Sequence, residues 1–399
     1  MHAIADTDRL VADGIITEEQ AREIHARARE GMIKLGINSL LSLGIIAATA
    51  GLIFWLASPV AVAVCGTLAL IAGALILVRG SELFRMFGNA SALIGAGMLI
   101  GGAAAELVDK HEEIAGWVML VAGTVVALIA GWMVSRPEHR ARFVTGAILL
   151  MGLAMHLTGL GYLLSQHQVS GAAVSLFYLY FAGIVVAAGW LTNVRFVTAF
   201  AIVPFAQALD TGTFYFHAGY AFYSPETTLS IIQMGLLIGA CLWLAKRVGE
   251  RTARHAIVLA IMAFVVANLC ALVGSLWGDT VGETIWGPGR FRGAGITWEE
   301  HQAAVEAFRE HALVVSAGVY SVLWAIALAG MVFWAAQRNQ RGLFNAAMTF
   351  AAIHVYTQFF ESFSNEPLAY VVAGLAAIPL AWGIWRLNHW MTGRISHGE

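Results

Sequence analysis

Four side chains capable of chemistry stand at His354, Thr357, Gln358 and Glu361, inside an otherwise apolar stretch. The spacing i, i+3, i+4, i+7 puts them on one face of a helix. An imidazole, an amide and a carboxylate on one face can pass a proton, hold a cation or hydrogen-bond a polar solute. Other polar residues recur at the same depth. His156 lies 14 residues beyond Arg142, Asn268 lies 14 beyond Arg254, His354 lies 13 beyond Arg341, and Gln207 lies 12 beyond Arg195. At 1.5 Å per residue each sits about 18–21 Å along its helix from a basic residue. Polar groups in an apolar segment are costly to bury and are often functional. His156, Gln207, Asn268, His354, Gln358 and Glu361 therefore form the candidate substrate-binding set. Helix–helix hydrogen bonding and interfacial carboxylates are the competing explanation. A divalent metal held by two histidines and several carboxylates is a third. The set is carried forward as a solute or proton site, with no metal and no cofactor.

The elements that must position these residues are membrane helices. Of 399 residues, 59% are hydrophobic and only 12% are charged. A soluble domain carries roughly 25% charged residues, so a soluble enzyme is excluded, and disorder is excluded by the high apolar content. The expected fold is all-α, a polytopic helical bundle in the lipid bilayer. A span needs about 20 apolar residues. Such segments fall at 38–57, 60–78, 87–106, 114–134, 143–164, 170–190, 195–210, 228–245, 255–277, 312–335, 342–361 and 368–387, about twelve in all. The shortest, 195–210, contains Pro204, which removes a backbone hydrogen bond there. With the N-terminus in the cytoplasm, all of the 23 basic residues except Lys110, Arg290, Arg292 and Arg309 fall on the inner side, while more than half of the 25 acidic residues fall outside. This obeys the positive-inside rule at every loop. It predicts both termini in the cytoplasm of an integral multipass membrane protein. Trp55, Trp117 and Trp277 at one set of span ends, and Trp132, Trp190, Trp243, Trp334 and Trp390 at the other, fit interfacial belts.

The predicted organisation is a cytoplasmic N-terminal helical segment (1–36), a transmembrane bundle (37–390) with a long outer loop (278–311), and a short cytoplasmic tail (391–399). In the first segment Gly14 ends a short helix and Thr17 caps a second, with Gln20 completing a capping box. Residues 6–33 are the expected docking surface for the bundle or for a cytoplasmic or membrane partner. In the outer loop Thr297 caps a helix with Glu300 in the matching position. A loop of this length is usually functional. Basic residues open the odd spans at intervals of 51 to 59 residues before the long loop, and Arg142-Phe143-Val144-Thr145 matches Arg195-Phe196-Val197-Thr198. Both point to repeated helical hairpins. Gly97, Gly101 and Ala105, and Gly152 with Gly159, make small-residue faces that let helices approach. His25, His139, His255, His389 and His397 read as solvated histidines of inner loops and tails.

Several activities are excluded by absent motifs. There is no phosphate-binding loop, no H-E-x-x-H and no G-x-S-x-G. The net charge of −2 gives no bulk basic character for nucleic acid. Cys65, Cys241 and Cys270 lie in apolar runs without C-x-x-C spacing and read as packing residues.

The opening Gly14-Ile15-Ile16-Thr17-Glu18-Glu19-Gln20, followed by Leu35-Gly36 and a first span carrying Gly44 and Gly51 and ending in Phe54-Trp55, resembles a family of bacterial membrane proteins, domain of unknown function twenty-one fifty-seven. The resemblance covers about the first 80 residues. It implies a bacterial inner-membrane protein and supplies no activity. The layout also resembles membrane glycan polymerases and ligases, which place a functional outer loop late among a similar number of spans. That likeness implies roles for Arg290, Arg292, His301 and His311. Three functions follow as expectations. The first is a secondary transporter or permease for a small polar or ionic solute or a proton. The second is an envelope enzyme handling lipid-linked glycan, and the third a non-catalytic scaffold.

Overall fold

Apolar runs this long must satisfy their backbone polar groups within themselves, and helices do so when no water is at hand. The computed structural model describes residues 7–26, 58–79, 84–136, 142–209, 214–216, 221–223, 226–288, 296–338 and 340–363, with isolated positions between them. Among the described residues the chain is all-helical apart from two short antiparallel strand pairs. It divides into two compact units, 1–170 and 171–399. The hydrophobic pattern, read above as one bundle, gives no sign of this division.

The first unit holds α1 (Thr7–Ala12), α2 (Pro59–Arg79), α3 (Arg85–Lys110), α4 (Glu112–Val134) and α5 (Arg142–Gln166). The second holds α6 (Ala172–Thr192), α7 (Arg195–Phe200), α8 (Ile202–Gln207), α9 (Thr227–Ala245), α10 (Glu250–Trp277), α11 (Glu283–Trp286), α12 (Trp298–His311), α13 (Ala317–Gln337) and α14 (Arg341–Phe363). Strands β1 (Phe214–Phe216) and β2 (Ala221–Tyr223) pair with each other, as do β3 (Asp279–Thr280) and β4 (Val314–Val315).

Eight of these helices are long and apolar enough to cross a membrane: α2 to α6, α9, α10 and α13. The difference from twelve has three sources. Segments 38–57 and 368–387 lie, but for isolated positions, outside the described residues, as does the tail 391–399. Segment 195–210 is broken into α7 and α8 at Ala201. The Pro204 nitrogen has no hydrogen to give the carbonyl four residues back. Beyond the break, the Gln233 amide donates to the carbonyl of Phe205 at 2.7 Å and satisfies one acceptor that the short helix leaves over. Finally, α14 has the length, at 23 residues, but Asn345, His354 and Gln358 dilute its apolar character.

Neighbouring helices pack as hairpins: α2 with α3, α4 with α5, α6 with α7 and α8, α9 with α10, and α13 with α14. The described turns carry basic residues, among them Arg136, Arg247 and Arg338. The predicted N-terminal turn is also present. Gly14 adopts φ +71, and the Thr17–Gln20 capping box closes with bonds of 2.9 and 3.2 Å. His25 is exposed, as expected, and also bonds Thr7 Oγ1 through Nε2 at 2.7 Å.

Close helix approach in the first unit depends on glycine pairs seven residues apart. Gly66 on α2 faces Gly95 on α3, while Gly73 packs on Ala92 and Gly102 on Pro59 and Ala63; Gly116 and Gly123 on α4 face Gly159 and Gly152 on α5. A Cβ on Gly66 would sit 2.5 Å from the Leu99 backbone nitrogen, and one on Gly159 would sit 2.5 Å from that of Leu120. Seven residues make two turns, so each pair keeps one face against its neighbour. The expected Gly152 and Gly159 face is thus in contact. The Gly97, Gly101 and Ala105 face makes no such close backbone approach, because a Cβ on Gly97 would meet the Met151 side-chain tip on α5 at 3.6 Å and one on Gly101 meets nothing within 4 Å. Gly123→Val should therefore destabilise the first unit by about 1–3 kcal/mol. Gly101→Val should leave the thermal unfolding midpoint of the purified protein unchanged. Equal midpoints for the two variants would contradict this packing.

Candidate functional site

The second unit assembles a polar track on α10, α13 and α14. Its middle is built around Trp324. Asn268 donates its amide to the Phe264 carbonyl one turn back at 2.9 Å, which turns its oxygen toward α13. There it accepts from Trp324 Nε1 at 3.0 Å. The Trp324 ring meets the His354 ring edge-on, with centroids 4.7 Å apart. His354 is 7% exposed, and its Nδ1 is buried with no hydrogen-bond partner. An unpaired polar atom in such surroundings costs about 1–3 kcal/mol. Below this group lies a dry floor of Ala271, Trp324, Leu328 and Phe350. Phe264 meets Phe350 edge-to-face across it, at 5.9 Å.

One turn further along α14, Gln358 reaches the Ser275 carbonyl on α10 at 3.5 Å. One turn back on α13 from Trp324, Tyr320 enters a second cluster. Asp279 Oδ2 accepts from the Thr228 backbone N–H at 2.8 Å, from the Thr228 hydroxyl, and from the Tyr320 hydroxyl at 3.2 Å. The two hydroxyls are themselves 2.5 Å apart. Tyr320, Thr228 and Asp279 thus form a continuous hydrogen-bonded chain along which a proton can be handed on. From Asn268 to Ser275 on α10 is seven residues, or about 10 Å of rise. Polar groups therefore recur, as separate clusters, from the loop-bearing end of the unit to the depth of His354.

The loop that carries Asp279 is held in place by a second buried carboxylate. Glu226, 2% exposed, accepts from the N–H groups of Gly282 at 2.7 Å and Thr284 at 3.0 Å. Gly278 and Gly282 take φ of +73 and +89, a left-handed backbone that glycine tolerates. Pairing of β3 with β4 and the Arg309–Glu283 ion pair at 3.0 Å complete the anchoring. Thr297 and Glu300 form the expected capping box of α12. Donation from Thr297 holds the Glu300 carboxyl below the usual carboxylate range.

Two of the six sequence candidates, Asn268 and His354, thus meet through Trp324, and a third, Gln358, lies one turn further along α14 against the Ser275 carbonyl. His156 lies in the first unit, where its Nδ1 bonds Thr124 Oγ1 at 2.8 Å. Gln207 ends α8 and is half-buried, and Glu361 is exposed near the end of α14. Thr357 bonds its own helix at the Ile353 carbonyl. Arg290 and Arg292 lie outside the described residues, His301 is buried on α12 and His311 is exposed. Among the described residues no three of His, Cys, Asp and Glu gather to hold a metal ion.

Sequence reasoning missed Thr228, Asp279, Tyr320, Trp324 and Glu226. It also read His255 as solvated. That histidine lies in the second turn of α10, is 3% exposed, and bonds Thr198 Oγ1 at 2.7 Å. No protein-family model matches the chain, and no curated protein or solved structure does.

Asp279→Ala would leave one hydroxyl and one N–H without an acceptor, since the Thr228 and Tyr320 hydroxyls can still bond each other. It should destabilise the protein by about 1–3 kcal/mol for each group that water does not reach. Asp279→Asn keeps an acceptor oxygen and should cost less. Unfolding of the purified variants checks this order, and an unchanged midpoint for Asp279→Ala would contradict it.

Proposed function

We propose that this chain is a multipass membrane protein of the permease or secondary-transporter kind, with both termini in the cytoplasm of a bacterial cell. Its working residues are His354, Asn268 and Gln358, served by the Tyr320–Thr228–Asp279 chain. The observation that carries this reading is His354. An imidazole with an unpartnered buried nitrogen gains a hydrogen bond when water or a polar solute reaches it, and can exchange a proton with that partner. Everything around it is already paired. Asn268 and Trp324 satisfy each other, so within this group the open valence falls on His354 Nδ1. The hydroxyl cluster stands one turn of α13 from Trp324, on the loop side of His354, and such titratable groups inside spans are typical of proton relays. His156, Gln207 and Glu361 remain part of the proposed binding set, as residues of comparable depth or span end. The exposed Ile15 and Ile24 make 6–33 the proposed surface for a partner.

The test is proton flux into liposomes holding the purified protein and a pH-sensitive dye, driven by a potassium diffusion potential. Wild-type protein should acidify the lumen. His354→Gln and Tyr320→Phe should reduce the flux toward that of protein-free vesicles, and Glu299→Gln should leave it unchanged. Full flux in His354→Gln would refute the proposal.

A further inference from the structure

The other end of the second unit carries a groove that the polar track does not use. Its volume is about 440 Å³, and its walls come from α6, α7, α9 and α10. Gly183, Cys241 and the aliphatic side chains around them make most of it apolar, while Trp190, Thr198, Thr252 and His255 close one end. That end is strongly cationic. The charges of Arg251, Arg195 and Arg254 bear on His255 from the turn side. Arg251 is committed to structure. Its guanidinium stacks on Trp190 at 4.6 Å and caps the last turn of α6 at the carbonyls of Trp190 and Leu191. Its Nε is nonetheless buried without a partner. Arg254 is held only by the exposed Glu250 carboxylate, at 2.6 Å on the same helix. Arg195 is exposed at the start of α7.

An apolar slot running into a cluster of arginines matches one kind of molecule. The occupant needs an acyl chain for the slot and an anionic headgroup for the rim. Basic pockets between membrane helices bind phospholipid headgroups by the same chemistry. The volume falls in the range of small-ligand sites, roughly 300–1,000 Å³. We infer that this groove is a binding site for an anionic phospholipid, with its phosphate at Arg195, Arg251 and Arg254 and one acyl chain beside Gly183 and Cys241. Arg251 and Trp190 shape the rim, and Thr252 holds the Trp190 ring by accepting its N–H at 3.0 Å.

The site makes the acyl slot and the charged rim separable. A Cβ on Gly183 meets nothing within 4 Å, so Gly183→Leu projects into the slot without a backbone clash. Arg195→Gln with Arg254→Gln removes rim charge and leaves the Arg251 cap untouched. The test is native mass spectrometry of the full chain released from mixed micelles holding equal amounts of phosphatidylglycerol and phosphatidylcholine. Wild-type protein should retain phosphatidylglycerol preferentially. An arginine near an anionic headgroup is worth about fivefold in affinity, so the double glutamine variant should lose most of that preference. Gly183→Leu should retain fewer lipids of either kind. Circular dichroism reads whether each variant keeps its helices, and loss of helix in one leaves the other to decide. Equal retention of the two lipids by wild type overturns the proposal. So does an undiminished preference in the double variant.

Discussion

A polar atom taken out of water must find a partner inside the protein, and this requirement orders the whole second unit. In an apolar body with so few charged groups, each buried donor and acceptor is conspicuous, and nearly every one in the site is paired with a residue far away in sequence. Trp324 and Asn268 join α13 to α10. Asp279 gathers Thr228 and Tyr320 from two other segments, and Glu226 pins the backbone of the loop that carries Asp279. These bonds are worth about 1 kcal/mol each when made and more when broken. Among the described residues three buried side-chain atoms still lack a partner, Arg251 Nε, Thr284 Oγ1 and His354 Nδ1, and of these His354 is the one in the Asn268–Trp324 group.

The first unit solves a different problem with different means. Lipid gives helices no hydrophobic reason to associate, so contact must come from close packing. Paired glycines seven apart on four successive helices let backbones touch, and they do so in the hairpins α2–α3 and α4–α5. The second unit has fewer such contacts. One is Gly189, which opens room for Thr198, the residue that bonds His255. Another is Gly274, packed under Tyr320 and Thr227. There glycine makes space for polar residues, whereas in the first unit it makes space for backbone.

Much of the architecture was legible before the fold was known, because span length and charge are properties of contiguous residues. Ten of the twelve proposed segments meet a described helix or broken helix, although only eight helices have the required length and apolarity. Asn268, His354 and Gln358 were legible because depth along a helix can be counted from a basic residue. Tyr320 and Trp324 were not, since an aromatic residue in an apolar run looks the same facing lipid or facing Asn268. Asp279 and Glu226 look solvated in a loop, and their burial depends on donors some 50 residues away. His255 was misread because it follows a run of charge from Lys246 to Arg254. The helix begins at Glu250, so its ring is already turned inward. Glycines seven apart were visible too, but the face first picked out, through Gly97 and Gly101, lies on the wrong side of α3.

The account turns on whether water and protons reach His354 along the hydroxyl track. Exchange of the histidine ring C2 hydrogen with deuterated water, followed by mass spectrometry as a function of pH, reads this one residue directly. The account predicts exchange at His354 with a sigmoidal pH dependence, slowed when Tyr320 is replaced by Phe. A His354 ring that stays protiated at every pH, while exposed His311 exchanges fully, would contradict it.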